Sequence, residues 1–418
     1  MKKIIISGKR KLQGEVSIHG AKNAVLPILC ASILCEDKVV LHNCPKLSDV
    51  NNTLSILESL GCQTQSFENT IEIIPSKYID TTINEEYMSK MRSSILFLSG
   101  CIAREGKANL SLPGGCELGP RPIDIHIKCF EKMGVNIIEK RGVLNCSCNR
   151  LQGAHLNLPF PSVGATENVM ILASKAEGIT IIRNAAREPE IKDLAEFLNK
   201  CGAQIKGAGT DKITIKGVKK LNGCEHTIIS DRIEASTYMA FCAVTGGDLL
   251  IKDVQTEFIQ PVVYAFRESG CKTEFYKNSL RITAPKRLAR VNRVKTLVYP
   301  GFPTDSVMNL MAMCAVAKGT SVFEETIFQN RFNSAQELNK MGAQIKVYDR
   351  IAVVEGVEEL FGAEVKATDL RGGAALVCAG LCANSTTTIS QTSHIYRGYE
   401  NLVENLKKLG ADIKTENT

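Results

Sequence analysis

Leu198-Asn-Lys-Cys-Gly202-Ala-Gln-Ile205 decides how the rest of the chain is read. The segment ends an amphipathic helical pattern, Gly202 sits where a left-handed stop is wanted, and the alternation beyond it suits a half-buried strand. The same phrase recurs as Leu57-Glu-Ser-Leu-Gly61-Cys-Gln-Thr64, Phe130-Glu-Lys-Met-Gly134-Val-Asn-Ile137 and Phe266-Arg-Glu-Ser-Gly270-Cys-Lys-Thr273. It appears twice more, as Leu338-Asn-Lys-Met-Gly342-Ala-Gln-Ile345 and Leu406-Lys-Lys-Leu-Gly410-Ala-Asp-Ile413. The spacing, roughly 70 residues, is that of a compact supersecondary repeat.

Outward from each phrase lies a second helix pattern, richer in small and apolar residues: 24–35, 93–103, 167–176, 235–244, 306–317 and 373–383. A helix apolar nearly all round belongs inside. Strand patterns such as 38–41, 179–182, 248–251 and 320–323 follow these helices. Each repeat is thus expected to hold an inner helix, an outer helix and a small sheet. Six repeats divide into two domains of three, with the break near 229–231, which fits a chain of 418 residues. The opening strands, 4–6 and 15–18, precede the first inner helix. They must complete the C-terminal domain unless they close the first one.

Composition sets limits. Apolar residues at 44%, charged residues at 23% and a net charge of +7 describe a globular protein. Anionic small molecules suit that charge as well as nucleic acid does, and no aromatic-basic RNA-binding pattern appears. After Met1-Lys-Lys the apolar run Ile4-Ile-Ile6 is too short for a signal peptide, and the runs at 307–317 and 374–383 fall short of a membrane span. A cytoplasmic protein without membrane insertion is expected. The 16 cysteines are scattered, many in apolar helical patterns (Cys30, Cys101, Cys242, Cys314, Cys378), and read as small buried hydrophobes. Cys146-Ser-Cys148 is the one tight pair, and its spacing does not suit zinc, so no metal is expected.

Two features carry chemistry. One is Leu112-Pro-Gly-Gly-Cys-Glu-Leu-Gly-Pro-Arg-Pro-Ile-Asp124, whose glycines and prolines exclude helix and central strand alike. Long loops of this kind are functional lids or linkers, and the spaced Leu112, Leu118 and Ile123 argue against a linker. The other is the set of polar residues at the inner-helix starts: Lys22-Asn23, Arg92, Ser162 to Thr166, Asp231-Arg232, Thr304-Asp305 and Asp369 to Arg371. Helix N-termini favour anions. Asp231, Asp305 and Asp369 are also good caps on their own account, so each has a purely structural reading. Lys22, Arg92 and Arg371 oppose the helix dipole and favour an anion-binding cleft if the two domains face each other.

Several segments resemble the UDP-N-acetylglucosamine 1-carboxyvinyltransferase family of enolpyruvyl transferases. They are Gly20-Ala-Lys-Asn-Ala24, Pro113-Gly-Gly-Cys116, Arg121-Pro-Ile-Asp124, Pro161-Ser-Val-Gly-Ala-Thr166 and Asn184-Ala-Ala-Arg-Glu-Pro-Glu190. Asp231-Arg-Ile-Glu234, Phe302-Pro-Thr-Asp305, Asn330-Arg-Phe332, Ala367-Thr-Asp-Leu-Arg371 and Arg397-Gly-Tyr399 extend the likeness along essentially the whole chain. The resemblance implies an α/β fold, a two-domain inside-out barrel of six repeated α/β units, three per domain. The domains would be 22–229 and 1–21 with 230–418. It also implies transfer of the enolpyruvyl group of phosphoenolpyruvate to the 3′-hydroxyl of UDP-N-acetylglucosamine with release of phosphate. This is the first committed step of peptidoglycan synthesis, without metal or organic cofactor.

Residue by residue, the resemblance makes Cys116 the proton donor and Asp305 the base. Lys22, Arg121 and Arg397 would be the cations that hold phosphoenolpyruvate, with Asn23 beside them. It assigns the nucleotide sugar to Arg92, Arg121, Pro122, Ile123, Asp124, Ile125, Ser162, Val163, Gly164 and Ile327. Arg331, Asp369 and Arg371 would orient the pyruvyl group or lock a closed form. Two departures stand beside substrate segments. Ser306-Val-Met-Asn309 replaces the glutamines many relatives carry, and Pro159 takes a place where an acidic residue is common. The competing readings are a 5-enolpyruvylshikimate-3-phosphate synthase-like transferase, which would lack the Cys116 loop, and a non-catalytic nucleotide-sugar-binding paralogue. No histidine sits at ligand spacing, and His126 reads as a support of the Cys116 loop.

Overall fold

The computed structural model describes residues 2–112 and 123–417, and within them six four-stranded sheets. All six glycines of the recurring phrase have left-handed backbones, with φ from 91° to 106°. The same two hydrogen bonds surround each of them. At Gly61, its N–H donates to Glu58 O (2.9 Å), and Cys62 N–H donates to Leu57 O (3.0 Å). The pair is repeated at Gly134, Gly202, Gly270, Gly342 and Gly410. This is a Schellman stop, which uses the last orphan carbonyls of the helix and turns the chain into the strand.

The outer helices are Ser48–Ser59, Asp124–Lys132, Pro189–Lys200, Gln260–Glu268, Ala335–Lys340 and Leu402–Lys408. They are half-buried: Pro189–Lys200 buries Ile191, Leu194, Phe197 and Leu198 and leaves its lysines outside. The inner helices are Lys22–Ser32, Leu96–Glu105, Val163–Ala173, Arg232–Val244, Val307–Cys314 and Leu370–Cys382. In Leu370–Cys382 every residue but the first and last is buried. Two inner helices start with a 3₁₀ turn, Arg92–Ile95 and Thr304–Ser306, and Lys22 opens the first helix two residues before the expected 24.

The backbone divides into two compact units, at His19/Gly20 and at Ile229/Ser230. Each has its own apolar core around its inner helices. In the C-terminal unit Arg232–Val244, Val307–Cys314 and Leu370–Cys382 pack on one another. In the N-terminal unit Leu96–Glu105 packs on both Lys22–Ser32 and Val163–Ala173. Burying one Leu, Ile or Phe side chain there contributes about 1.5–3 kcal/mol.

Within each sheet an edge strand runs parallel to the strand after the inner helix, and two antiparallel strands follow. In the first sheet Glu225–Thr227 fills the parallel edge beside Val39–His42, so the N-terminal unit closes on itself. The opening strands complete the C-terminal unit, one inside a sheet and one at a parallel edge. Lys2–Ser7 lies antiparallel between Thr386–Ser390 and Asp412–Asn417, with Ile4 opposite Ile389 and Thr415. Gln13–Ser17 runs parallel to Asp248–Lys252, with Val16 opposite Ile251. The two opening strands therefore complete different sheets and do not pair with each other.

Candidate active site

In the N-terminal unit the helix Lys22–Ser32 has no side-chain cap, and its first residue is a cation. Lys22 Nζ lies 2.7 Å from Asp49 Oδ2, in the first turn of the outer helix Ser48–Ser59. Both side chains are almost fully enclosed, and the carboxylate offsets the clash between ammonium and helix dipole. Asn23 is half-buried beside Lys22 in sequence.

Arg92, also half-buried, opens the 3₁₀ turn of the second repeat. Its charge acts on His126, a buried ring on the helix Asp124–Lys132 whose Nδ1 lies 2.8 Å from Asn168 Nδ2. Gly164 packs on that ring: a Cβ there would stand 3.4 Å from Cε1. Just before it, Ser162 Oγ caps the helix Val163–Ala173 by accepting from Ala165 N (3.3 Å). The structure thus brings Arg92 and the 162–164 turn around one imidazole. Ile123, Ile125 and Val163 are half-buried against the unit's core, whereas Asp124 is exposed and pairs with Lys128 at 3.7 Å. Cys116, Arg121 and Pro122 lie outside the described residues.

Burial, and then the Arg92 charge, pull the His126 pKa from 6.5 down to about 4. An unfolded chain takes up this proton near 6.5, the folded one only near 4. The neutral ring's contribution is complete above about pH 6.5 and is lost as pH falls from there, to a total of roughly 3 kcal/mol. His126→Gln should therefore flatten the fall in thermal midpoint between pH 6.5 and 4. Parallel falls in variant and parent would show that another group titrates.

In the C-terminal unit the three helix-start aspartates part company. Asp231 caps Arg232–Val244, accepting from Ile233 N (2.8 Å) and Glu234 N (3.1 Å). Asp369 caps Leu370–Cys382, accepting from Arg371 N (3.0 Å) and Gly372 N (3.1 Å). Asp305 does not stand at an N-cap position: it lies inside the 3₁₀ turn Thr304–Ser306, whose N-cap is Pro303. Its Oδ1 accepts from Arg331 Nη2 (3.2 Å) and Arg371 Nε (3.3 Å), and 28% of the side chain stays exposed.

The two guanidiniums are themselves held. Arg331, 1% exposed, donates through Nε to Thr304 Oγ1 (3.0 Å) and lies over the Phe328 ring. Arg371 donates to the Tyr399 hydroxyl (3.2 Å). Burial alone would lower the Arg371 pKa, but Tyr399, Asp305 and Asp231 outweigh it and raise the pKa overall. Burial also pushes the Tyr399 phenol up, so it stays protonated and bonds Thr237 Oγ1 at 3.0 Å. Asn309 Nδ2 donates to the same Thr237 oxygen (2.9 Å), and Ser306 Oγ bonds Ser236 Oγ (2.8 Å). The residues that replace the glutamines are thus buried in contacts between inner helices. Pro159 is exposed.

Arg397 is half-buried, ending the short helix Ser393–Tyr396. Ile327 is placed by Glu325, a carboxylate 1% exposed. Glu325 Oε1 accepts from Ile327 N (2.7 Å) and Phe328 N (3.0 Å), and Oε2 accepts from Thr304 Oγ1 (2.8 Å). Glu325 therefore locks the Ile327 turn to the residue before Asp305. Reading the sequence missed it, because Glu324-Glu325 looks like a solvated pair and nothing local signals that one of them is buried. Asp49, the partner of Lys22, was missed for the same reason. Among the described residues no group of His, Cys, Asp and Glu is placed to hold a metal ion, and no helix is long and apolar enough to cross a membrane.

Comparison with known proteins shows the family. Residues 6–416 match the family model described as EPSP synthase (3-phosphoshikimate 1-carboxyvinyltransferase). The chain is 48% identical over 413 residues to UDP-N-acetylglucosamine 1-carboxyvinyltransferase 2 of Caldanaerobacter subterraneus subsp. tengcongensis, covering 99% of each. It is 47% identical over 417 residues to UDP-N-acetylglucosamine 1-carboxyvinyltransferase of Lawsonia intracellularis, covering 100% of each. Among solved structures, the enolpyruvyl transferase NikO from Streptomyces tendae superposes with a TM-score of 0.91 at 22% identity, over 100% of this chain and 99% of that one. EPSP synthase from Acinetobacter baumannii superposes at 0.76 and 18% identity, over 100% of both chains. These two likenesses speak for the fold.

Proposed function

Because the chain belongs to the enolpyruvyl transferase family, within the branch of the UDP-N-acetylglucosamine 1-carboxyvinyltransferases, we infer that its two sets of charged groups serve one transfer reaction. The protein moves the enolpyruvyl group of phosphoenolpyruvate onto the 3′-hydroxyl of UDP-N-acetylglucosamine and releases phosphate, committing the sugar nucleotide to peptidoglycan. The observation that carries the chemical reading is Asp305. Alone of the three helix-start aspartates it does not occupy the N-cap position, and its partly open carboxylate is aimed by two arginines.

In the addition step the sugar oxygen attacks C2 of phosphoenolpyruvate while a proton reaches the C3 methylene. Asp305 takes the hydroxyl proton and Cys116 delivers the other. In the elimination step a proton leaves the new methyl group and phosphate departs from C2, which restores the vinyl group. Lys22, Arg121 and Arg397 hold the donor's phosphate and carboxylate, and Asn23 binds substrate beside them. Arg92, the Arg121 to Ile125 segment, Ser162 to Gly164 and Ile327 hold the nucleotide sugar. Arg331, Asp369 and Arg371 orient the pyruvyl group or lock a closed form. The substrate-holding domains are 22–229, and 1–21 with 230–418, and the enzyme works in the cytoplasm, where both substrates are made.

Phosphate release from phosphoenolpyruvate should depend on UDP-N-acetylglucosamine and should not respond to shikimate 3-phosphate. Equal or better turnover with the shikimate acceptor would overturn the assignment. Binding of the sugar nucleotide by folded protein with no turnover would favour a non-catalytic paralogue.

A further inference from the structure

We propose that Cys35, Cys201 and Cys224 form a thiol–disulfide site in the N-terminal unit, which small disulfides oxidise to a Cys201–Cys224 bond. Cys201 Sγ lies 3.3 Å from Cys224 Sγ and 3.6 Å from Cys35 Sγ. Among the described cysteines no other pair makes such a sulfur–sulfur contact. Plain apolar packing accounts for isolated residues such as Cys30 or Cys314, but it does not require three sulfurs in a row.

Three separate elements supply them. Cys35 follows the inner helix Lys22–Ser32, Cys201 ends the outer helix Pro189–Lys200, and Cys224 precedes the closing strand Glu225–Thr227. Backbone bonds already lace these segments together: Asn222 N to Cys201 O (2.8 Å), Val40 N to Cys224 O (2.9 Å) and Glu36 N to Leu221 O (2.9 Å). Bonding brings the Cys201 and Cys224 sulfurs from 3.3 Å to about 2.05 Å. Cys35 and Cys201 are buried, whereas Cys224 is partly exposed and is the thiol a reagent can reach.

The exchange balances without a further reactant. Cys224, as thiolate, attacks one sulfur of the small disulfide, and one small thiol leaves with the proton that Cys224 gave up. Cys201 then attacks the Cys224 sulfur and expels the second small thiol. The two protein thiols lose two electrons and two protons, and the small disulfide gains them. The bond to Cys201, followed by burial, raises the Cys224 pKa far above the usual thiol range, so entry is slow. Cys35 stands ready to exchange into the finished bond.

The test incubates full-length protein with glutathione disulfide, quenches in acid, alkylates and maps the peptides. A linked Cys201–Cys224 peptide is expected. Cys148, also partly exposed but without a sulfur in contact, should stop as a glutathione adduct. The bond closes a ring of roughly 24 residues and should raise the thermal midpoint by about 5 °C, reversibly with dithiothreitol. Cys35→Ser should still form the bond, and Cys224→Ser should leave Cys201 reduced. A stable glutathione adduct on Cys224, or a cluster that stays reduced while Cys148 reacts, would overturn the proposal. So would loss of the bond in Cys35→Ser.

Discussion

Replacing Asp305 by Asn should lower turnover about 10²–10⁴-fold, the range a positioned acid or base contributes, while the protein stays folded. The carboxylate does not sit at the N-cap position, which Pro303 holds, and Asn would in any case serve a helix start as well as Asp does. Asn keeps one oxygen for Arg331 Nη2 or Arg371 Nε but has no charge for either. Two guanidiniums with 1% and 5% side-chain exposure are then left short of a counter-ion, which costs roughly 1–3 kcal/mol of stability. The rate effect should exceed the stability effect, since at 28% exposure Asp305 is the part of this cluster that faces outward. Phosphate release and a thermal melt on the same preparation separate the two. Near-normal turnover with a lowered midpoint would mean that Asp305 is only the arginines' counter-ion.

Gly20→Ala is expected to cost about 3 kcal/mol or more, at the upper end of what overpacking does. A Cβ on Gly20 would stand 1.7 Å from the carbonyl oxygen of Asn43, and backbone cannot yield as a side-chain tip can. Asn43 is itself fixed, with φ +56° and its Nδ2 bonded to Ile228 O (2.9 Å). Relief would have to come from moving the start of Lys22–Ser32, which carries Lys22 away from Asp49. Binding of phosphoenolpyruvate should therefore weaken along with stability. Gly209→Ala is the control: its φ of +86° strains any side chain, but nothing lies within 4 Å, so only the left-handed penalty of about 1–2 kcal/mol applies. Equal destabilisation by the two variants, measured by denaturant melts, would show that the overlap at Asn43 is absorbed.

The six Schellman stops were legible because each is written in six consecutive residues, where a glycine's conformational freedom and a helical apolar face are local properties. Inner helices could be told from outer ones for the same reason, since composition around a helix reports how many of its faces meet other protein. The list of charged residues at helix starts could be drawn up from sequence, and so could the resemblance.

What each charge does there was a tertiary matter. Asp231, Asp305 and Asp369 look alike in sequence, yet two cap their helices, while the third is turned by Arg331 and Arg371, which lie 26 and 66 residues further along the chain. The burial of Glu325 and Asp49, and the contact of Cys35 with Cys201 at a separation of 166 residues, are likewise set by partners that no local pattern names. The placing of Lys2–Ser7 and Gln13–Ser17 in two different sheets of the C-terminal unit follows the same logic. A strand's alternation says that it needs a partner, but the gap between Thr386–Ser390 and Asp412–Asn417 and the open edge beside Asp248–Lys252 decide which one.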